Sequence, residues 1–276
     1  MTGIVLDSYV EDLIYRYEDS VGISRDDSVI ARCEQIVGRG EWGVENATTF
    51  LNAYATQKCR AYLRFGHEVD EVLRGDYFRY DVLKVCDTPK VFLRAGLDDK
   101  PMSYTQKHLR YAIKDKKLGD NFHGFTVEKI KRLPEVMQNP ILIADSPSRR
   151  DALIAVLPLT DDDGFPVITA IHPNGKARYH KNFIETNAIL SVYGKDDFSL
   201  YFRERVPARS VVYINDKRLK NLERYARVQF PEAYSNLEPN IILKRPRCLV
   251  NDACESEVGS EMSSVETSRV DDDYSL

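Results

Sequence analysis

The sequence predicts an α+β protein in which helices precede and pack on a four-stranded, mainly antiparallel sheet. Three observations support this class. Apolar residues with helical spacing dominate residues 1–80, clear strand-length apolar runs begin near residue 141, and strands and helices do not alternate as in a doubly wound fold. With 276 residues, 43% of them hydrophobic, the chain can bury at least one full core. We therefore expect one main domain with appendages.

Residues 1–80 are predicted to be all-helical. Apolar residues three and four positions apart indicate two helices on either side of a break at residues 20–22, and Asp26 or Asp27 can cap the second one. A third, longer helix is predicted over residues 45–65, with Gly66 ending it. This region contains no catalytic group of residues, and if the protein is a non-enzymatic binding module these helices are expected to contact a protein partner.

Residues 84–230 are predicted to form the α+β domain. A short helix is expected in VFLRAGL, an extended piece in MSYT, and a helix around Leu109 and Ile113. Thr126 can cap a further helix, which Pro134 divides into two short turns. Strands are expected at residues 141–144, 152–159 and 166–171. A hairpin turn at residues 161–164 joins the last two.

The remaining elements complete the four-stranded sheet. A helix is predicted over residues 182–193 and ends at Gly194, and a second helix begins at the cap formed by Asp196 and Asp197. The run SVVYI at residues 210–214 supplies the fourth strand, and Asp216 caps the last helix. The three aspartates at residues 161–163 lack the spacing of a calcium-binding loop.

Charge divides the chain into unlike parts. Residues 172–249 hold fifteen lysines and arginines against eight acids, whereas residues 250–276 hold eight acids and one arginine. The basic part suits a polyanionic partner, and an ordinary solvated surface is the alternative. Residues 231–276 are predicted to be a disordered acidic tail.

Several classes of function are disfavoured by missing signals. No apolar run reaches membrane-spanning length, and the N-terminus is acidic where a signal peptide is basic, so we expect a cytoplasmic protein with no membrane contact. The five cysteines are scattered without a C-x-x-C pair, which indicates reduced thiols and no zinc site. No nucleotide, metal or hydrolase motif is present, so no cofactor and no metal are expected.

Polar residues near the ends of predicted elements suit one chemistry. Cleavage of RNA by attack of its own 2′-OH needs a proton acceptor, a proton donor and groups that stabilise the phosphorane, but no metal. Histidine can transfer the proton, while lysine, arginine and tyrosine can hold phosphate oxygens. The candidate catalytic residues are His123, Ser191, Tyr193 and Lys195. The candidate phosphate-binding or RNA-binding residues are Asn187, Tyr213, Lys217 and Arg218.

Each candidate also has a purely structural interpretation. His123 can cap the following helix, and Ser191 can bond a carbonyl within its own helix. Tyr193 and Tyr213 can be core rings whose hydroxyls reach the surface, and Lys195 can neutralise a helix C-terminus. These alternatives stay open from the residues alone.

A family resemblance runs through residues 84–230 and is carried by five segments in order. They are DTPKVFLRAGL, HGFTVEKIKRLPEVMQNPILIADS, DALIAVLPLTDDDGFPVITAI, NAILSVYGKDDF and VVYINDKR. Together they resemble the C-terminal domain of phage MuF-type head-morphogenesis proteins and the related barnase, EndoU, colicin and RelE-like nuclease superfamily. The resemblance implies helices preceding a four-stranded sheet and a metal-independent ribonuclease activity.

The resemblance also gives the site residues their expected roles. His123 matches the histidine before the first helix, and Ser191, Tyr193 and Lys195 match the S-x-Y-x-K-like end of a later helix. The expected protein is a toxin-like ribonuclease module of a phage or mobile element that acts on RNA. The alternative is a catalytically inactive module of the same fold that binds protein or nucleic acid.

Overall fold

The computed structural model describes residues 4–118 and 122–235, in which helices cover both faces of one seven-stranded sheet. The strand order is β1-β2-β6-β5-β4-β3-β7, and all neighbouring strands pair antiparallel except β2 and β6. The strands are β1 (Leu83–Asp87), β2 (Pro101–Tyr104), β3 (Leu142–Asp145), β4 (Leu153–Thr160), β5 (Pro166–Tyr179), β6 (Asn182–Gly194) and β7 (Val211–Ile214). The α+β class and the preceding helices are as predicted, but the four-stranded sheet is wrong.

The largest correction concerns residues 182–193, which form strand β6 and not a helix. The apolar residues of this stretch fit a helix or a strand equally well, so their spacing does not decide between the two. Residues 182–193 are extended because they pair with β5 in a hairpin. This hairpin turns at His180 and Lys181, which have φ values of 45° and 66°. Two-residue hairpin turns of this kind normally use asparagine or glycine, so the usual sequence signal is absent. β5 therefore continues well beyond the predicted residues 166–171.

The other two additional strands lie at one edge of the sheet. β1 pairs with β2, the extended MSYT piece, and β2 pairs with β6 from Met102 to Tyr104. Both strands are short, and β2 joins the rest of the sheet through β6, more than eighty residues further along the chain, so no local pattern predicts this part of the sheet.

The helices lie mostly near the predicted positions. They are α1 (Ser8–Ser20), α2 (Val29–Gly38), α3 (Val44–Lys58), α4 (Arg60–Arg74), α5 (Lys90–Arg94), α6 (Gln106–Ile113), α7 (Val127–Lys131), α8 (Leu133–Val136), α9 (Phe198–Arg205), α10 (Asp216–Ala226) and α11 (Glu232–Ser235). Thr126 caps α7 as predicted, and α8 begins just before Pro134. The caps of α2 and α10 are Ser28 and Asn215, each one residue away from a predicted aspartate.

The two faces of the sheet have separate cores. One face packs against α4 and the short helices α5 to α8 through residues such as Phe65, Val69, Leu109, Leu133 and Val167. The other face packs against α9, α10 and α11 through Ile168, Phe198, Phe202, Leu222 and Tyr234. Helices α1, α2 and α3 form a smaller cluster around Ile14, Ile30 and Leu51. α4 thus contributes to the main core beside the sheet.

Within the described residues, no helix has both the length and the apolarity to cross a membrane. Most of the expected acidic tail, residues 236–276, lies outside the described residues.

The predicted third helix is two helices, and Gly66 does not end it. The break falls at Cys59, and Gly66 lies inside α4, which ends at Gly75 with φ of 85°. A Cβ on Gly66 would meet only Lys131 Cδ, at 3.8 Å. Helical glycine at an open position costs stability relative to alanine.

Replacing Gly66 with alanine is therefore expected to raise the free energy of unfolding by about 0.5–1 kcal/mol. Gly75→Ala is the matched control, since φ of 85° strains any L side chain, and it is expected to lower the free energy of unfolding by about 1 kcal/mol. Urea denaturation measures both. A Gly66→Ala protein as destabilised as Gly75→Ala would contradict the position of Gly66 inside a helix.

Candidate functional site

His123 lies beside Tyr193 at the end of β6. The centroids of the two rings are 5.7 Å apart, with 34° between the ring planes. β2 pairs with β6 only at Asn187, Ala188 and Ile189, so this ladder stops before residues 191–194. The loop between α6 and α7, which carries His123, thus reaches the last residues of β6. His123, Tyr193 and the following Lys195 therefore lie together in one corner of the domain.

Backbone hydrogen bonds hold the His123 loop against the end of α6. The amides of His123, Gly124 and Phe125 donate to the carbonyls of Tyr111, Lys114 and Ala112 at 3.1, 2.8 and 2.8 Å. Gly124 has φ of 64°, a conformation that glycine adopts without strain. These backbone hydrogen bonds fix the position of His123 without any contact of its side chain.

Two lysines that flank His123 in the sequence bind the turn at residues 161–164, here called the acidic turn. Lys116 Nζ pairs with Asp161 Oδ2 at 2.8 Å and also with Asp163. Lys129 pairs with Asp162. The three aspartates that do not fit a calcium loop thus attach the His123 segment to the β4–β5 hairpin.

Asp161 is the buried centre of the acidic turn. Its Oδ1 accepts hydrogen bonds from the amides of Asp163 and Phe165 at 3.1 and 2.8 Å, while Oδ2 faces Lys116. Because the Asp161 side chain is fully buried, these partners compensate a charge that would be costly alone.

Gly194 leaves the space that Asp161 occupies. A Cβ built on Gly194 would lie 2.0 Å from Asp161 Oδ2 and 2.8 Å from Asp161 Cβ. The next residue, Lys195, donates its amide to the Pro166 carbonyl at 2.9 Å. The acidic turn and the end of β6 therefore require glycine at position 194.

Lys195 and two tyrosines form the outer side of the corner. The Lys195 ammonium pairs with Asp197 and lies 5.2 Å from the centre of the Tyr201 ring. Burial raises the pKa of the Tyr193 hydroxyl, although the Lys195 charge opposes this. Burial, with a smaller contribution from Tyr193, raises the pKa of Tyr201 to about 12. Both hydroxyls are therefore protonated near pH 7 and available as hydrogen-bond donors.

The surroundings of His123 favour the neutral form of its imidazole near pH 7. Partial burial lowers the pKa of the imidazole, the nearby Lys116 cation lowers it further, and Asp161 partly opposes both. Within the described residues, the ring makes its contact with Tyr193 and no side-chain hydrogen bond. A neutral imidazole without a hydrogen-bond partner can accept a proton from a ligand.

Ser191 and Asn187 lie on the same strand, but only Ser191 is near the corner. Ser191 pairs with Ala170, two residues before Tyr193, and it sits on a strand where a helix end was predicted. Asn187 is fully buried, and its Nδ2 donates to Thr88 Oγ1 at 2.8 Å and to the Asp98 carbonyl at 2.9 Å. At about 3.3 Å per residue, Asn187 is roughly 15–20 Å from Tyr193 along the strand, so the structure does not bring it to His123.

Tyr213, Lys217 and Arg218 belong to the opposite edge of the sheet. One row of paired residues crosses the sheet through Tyr193, Ile168, Val156, Leu142 and Ile214. Four strand spacings of about 4.8 Å separate the ends of this row, which amounts to roughly 19 Å. β6 and β7 run in the same direction, so Lys217 and Arg218 follow β7 at the sheet end that also carries Lys195. Tyr213 is buried in the core beside α4 to α8.

Two surface depressions lie away from His123. One follows α10 and is lined by Lys220, Glu223, Arg224, Arg227, Val228 and Gln229. The other lies along α3 and α4 and is lined by Ala53, Thr56, Gln57, Arg60, Leu63 and Arg64. The first is rich in cations, and its Lys220 and Arg224 lie on the same helix, α10, as Lys217 and Arg218.

Sequence reasoning did not find Lys116, Lys129, Asp161 and Tyr201 as parts of this corner. Their signals were visible: a basic run before His123 and three aspartates in a hairpin turn. The link between the two depends on how the α6–α7 loop meets the β4–β5 turn, which no local pattern predicts.

One of three comparisons with known proteins matches a segment that contains the residues of this corner. No curated protein and no solved structure matches the chain. A family model matches a segment that begins at Lys114, contains His123, the acidic turn and all of β6, and continues into α10. Residues 114–221 of this chain are similar to the phage MuF-C-terminal domain.

Proposed function

We propose that residues 84–230 form a metal-independent ribonuclease-like domain of a phage or mobile element, which cleaves RNA through attack of the RNA 2′-OH. The observation that carries this proposal is the neutral, partly buried His123 beside Tyr193 and Lys195. The similarity to the phage MuF-C-terminal domain supports the phage origin.

His123 acts as the general base in this proposal. The imidazole accepts the proton of the 2′-OH while the 2′ oxygen forms a bond to phosphorus and the bond from phosphorus to the 5′ oxygen breaks. The leaving 5′ oxygen takes a proton from solvent. The products are a 2′,3′-cyclic phosphate and a 5′-OH. The hydroxyl of Tyr193 donates to a phosphate oxygen and stabilises the charge that develops on the phosphorane.

Lys195 is the cation that binds the reacting phosphate, and Lys116 is a positioning residue that attaches the His123 segment to the acidic turn. The Asp197 partner of Lys195 is about half exposed, with 48% of its side-chain surface accessible, and such a pair is weak enough for a phosphate to replace. Lys116 faces the fully buried Asp161, and separating those two would leave a buried charge unpaired. Ser191 lies beside Tyr193 and can contribute a further hydroxyl.

Lys217 and Arg218 bind phosphates further along the same RNA strand. They lie at the same sheet end as Lys195, and the strands that lead to the two sites, β6 and β7, are about 19 Å apart by strand spacing. At a stacked spacing of about 3.4 Å per nucleotide, this gap corresponds to five or six nucleotides. The depression beside Lys220 and Arg224 extends this basic surface.

Cleavage of RNA but not DNA tests the proposal. We expect the full chain, in the presence of EDTA, to cleave a single-stranded RNA oligonucleotide and to leave 2′,3′-cyclic phosphate ends. The matched oligonucleotide with 2′-deoxyribose throughout is expected to remain intact. Equal cleavage of both, products with 5′-phosphate ends, or no cleavage of any RNA would overturn the proposed chemistry.

A second candidate function is binding without cleavage. The observation that favours it is that Lys116, Lys129 and Lys195 each pair with a carboxylate, which reduces the positive charge available to a phosphate. Under this alternative, RNA binds but stays intact, and His123→Ala has the same affinity for RNA as the wild type.

The N-terminal helices, residues 1–80, are proposed to contact a protein partner. Trp42 and Phe50 are both partly exposed, and their ring centroids are 5.5 Å apart in an edge-on arrangement. Aromatic residues of this kind are enriched in protein interfaces.

The cysteines support a reducing, cytoplasmic location. Cys33, Cys59 and Cys86 are buried and free, and burial raises the pKa of the Cys59 and Cys86 thiols to about 12. Such thiols are protonated and unreactive near neutral pH.

A further inference from the structure

The tip of the β5–β6 hairpin presents an unusual combination of exposed rings and cations. Phe78, Tyr80 and Phe183 are 43%, 59% and 75% exposed. Lys181 Nζ lies 4.8 Å from the centre of the Phe78 ring, and Arg178 Cζ lies 5.3 Å from the centre of the Tyr80 ring. These five residues are here called the hairpin platform.

The hairpin platform rests on a rigid base. Asp81 is buried and accepts hydrogen bonds from Arg178 Nε at 2.6 Å and from the Lys181 amide at 2.8 Å. The Val82 amide donates to the Arg178 carbonyl at 2.8 Å. The loop that carries Phe78 and Tyr80 is thus attached to the hairpin through both backbone and side-chain contacts.

A second buried acid holds the same hairpin from α4. Glu68 accepts hydrogen bonds from the Tyr179 hydroxyl at 2.7 Å and from the Lys84 amide at 2.9 Å. With both anchors in place, the backbone that carries the exposed rings is held in position before a ligand binds.

Three residues of the platform, Phe183, Arg178 and Tyr80, lie on one side of the hairpin. Phe183 is paired directly with Arg178 across the two strands, so the two side chains project from the same face. Arg178 in turn lies over Tyr80, and Arg79 Cζ lies 5.2 Å from the centre of that ring. The surface therefore alternates flat aromatic groups with positive charge.

From this arrangement we infer that the hairpin platform and the adjacent Arg79 bind single-stranded nucleic acid, with bases stacked on Phe78, Tyr80 and Phe183 and phosphates held by Arg79 and Lys181. Base stacking on aromatic side chains combined with a positively charged track is how proteins hold single strands without reading their sequence. An acidic protein segment would use the cations but would leave three exposed rings without a matching flat group.

The hairpin platform is distinct from the His123 corner. Residues 182–194 run the length of β6 between them, roughly 35–40 Å at about 3.3 Å per residue. The inference does not depend on RNA cleavage, because stacking and phosphate contacts need no reacting 2′-OH.

Binding of a labelled oligothymidylate, measured by fluorescence anisotropy at low salt, tests the inference. This DNA lacks the 2′-OH, so failure of the proposed cleavage chemistry does not affect the readout. We expect the wild type to bind this oligonucleotide at low salt. Phe78→Ala and Phe183→Ala are each expected to raise Kd about fivefold or more. Lys181→Gln is expected to reduce the salt dependence of Kd.

Tyr9→Ala is the matched control, since Tyr9 is an aromatic residue that is 55% exposed and lies on α1. Its Kd is expected to stay within about twofold of the wild type. Phe183 has the most exposed ring, so Phe183→Ala keeps the test valid if Phe78→Ala does not fold. Unchanged affinity in the hairpin variants, no binding by the wild type, or equal competition by an acidic peptide would each overturn the inference.

Discussion

Replacing Gly194 with alanine is expected to lower the free energy of unfolding by about 2–3 kcal/mol, as is typical of an added methyl group in a packed site. The added Cβ would lie 2.0 Å from Asp161 Oδ2 and 2.4 Å from its Cγ. Moving the Asp161 side chain costs free energy, because its carboxylate is buried and accepts hydrogen bonds from two turn amides and from Lys116. Displacing it leaves both amides without their partner and leaves Lys116 paired with Asp163 alone.

Urea denaturation and the salt-bridge geometry of a refined crystal structure measure this effect. Gly38→Ala is the control, because Gly38 is the last residue of α2 and a Cβ there meets nothing within 4 Å. That variant is expected to be neutral, or more stable by up to about 1 kcal/mol. If Gly194→Ala were as stable as Gly38→Ala, the close packing of Asp161 on β6 would be incorrect.

The second large effect is expected at His123. His123→Ala is predicted to reduce the rate of RNA cleavage by about 10²–10⁴-fold, which is the usual contribution of a positioned general base. The backbone of the His123 loop is held by its own amides, so the variant is expected to keep its fold. The loss should therefore appear in the rate of cleavage and not in thermal stability.

His67→Ala provides the comparison for His123→Ala. His67 lies on α4 with its side chain 68% exposed and its Nδ1 3.5 Å from Glu71, and neither residue is assigned to the chemistry. Its cleavage rate is expected to equal that of the wild type. Equal rates for His123→Ala and His67→Ala would remove His123 from the mechanism.

The sequence predicted elements well where the signal is local. The Thr126 cap, the division at Pro134 and the hairpin turn at residues 161–164 each depend on a few neighbouring residues, and all are present. β6 was missed because its apolar spacing fits both structures and because its hairpin turns at His180 and Lys181, where no glycine or asparagine marks the turn. Pairing with β5 in the folded protein makes this segment a strand.

The candidate site was only partly predictable for a related reason. His123 and Tyr193 lie together, yet Lys217 and Arg218 lie four strands away from Tyr193. Distance across a sheet depends on strand order, and three of the seven strands were not predicted. The ion pairs of Lys116 with Asp161 and of Lys129 with Asp162 link segments more than thirty residues apart, so only the folded chain reveals them.

The pH dependence of RNA cleavage tests the role of His123 most directly. Burial and the Lys116 charge lower the imidazole pKa, so the base form persists below the usual value of about 6.5. As pH falls through this lowered pKa, the imidazole becomes protonated and the rate should fall with it. We predict an acid limb with its midpoint below about pH 6.5 in the wild type, and no such limb in the residual activity of His123→Ala. A rate that rises as pH falls, or an acid limb that survives in His123→Ala, would contradict the assignment of His123 as the general base.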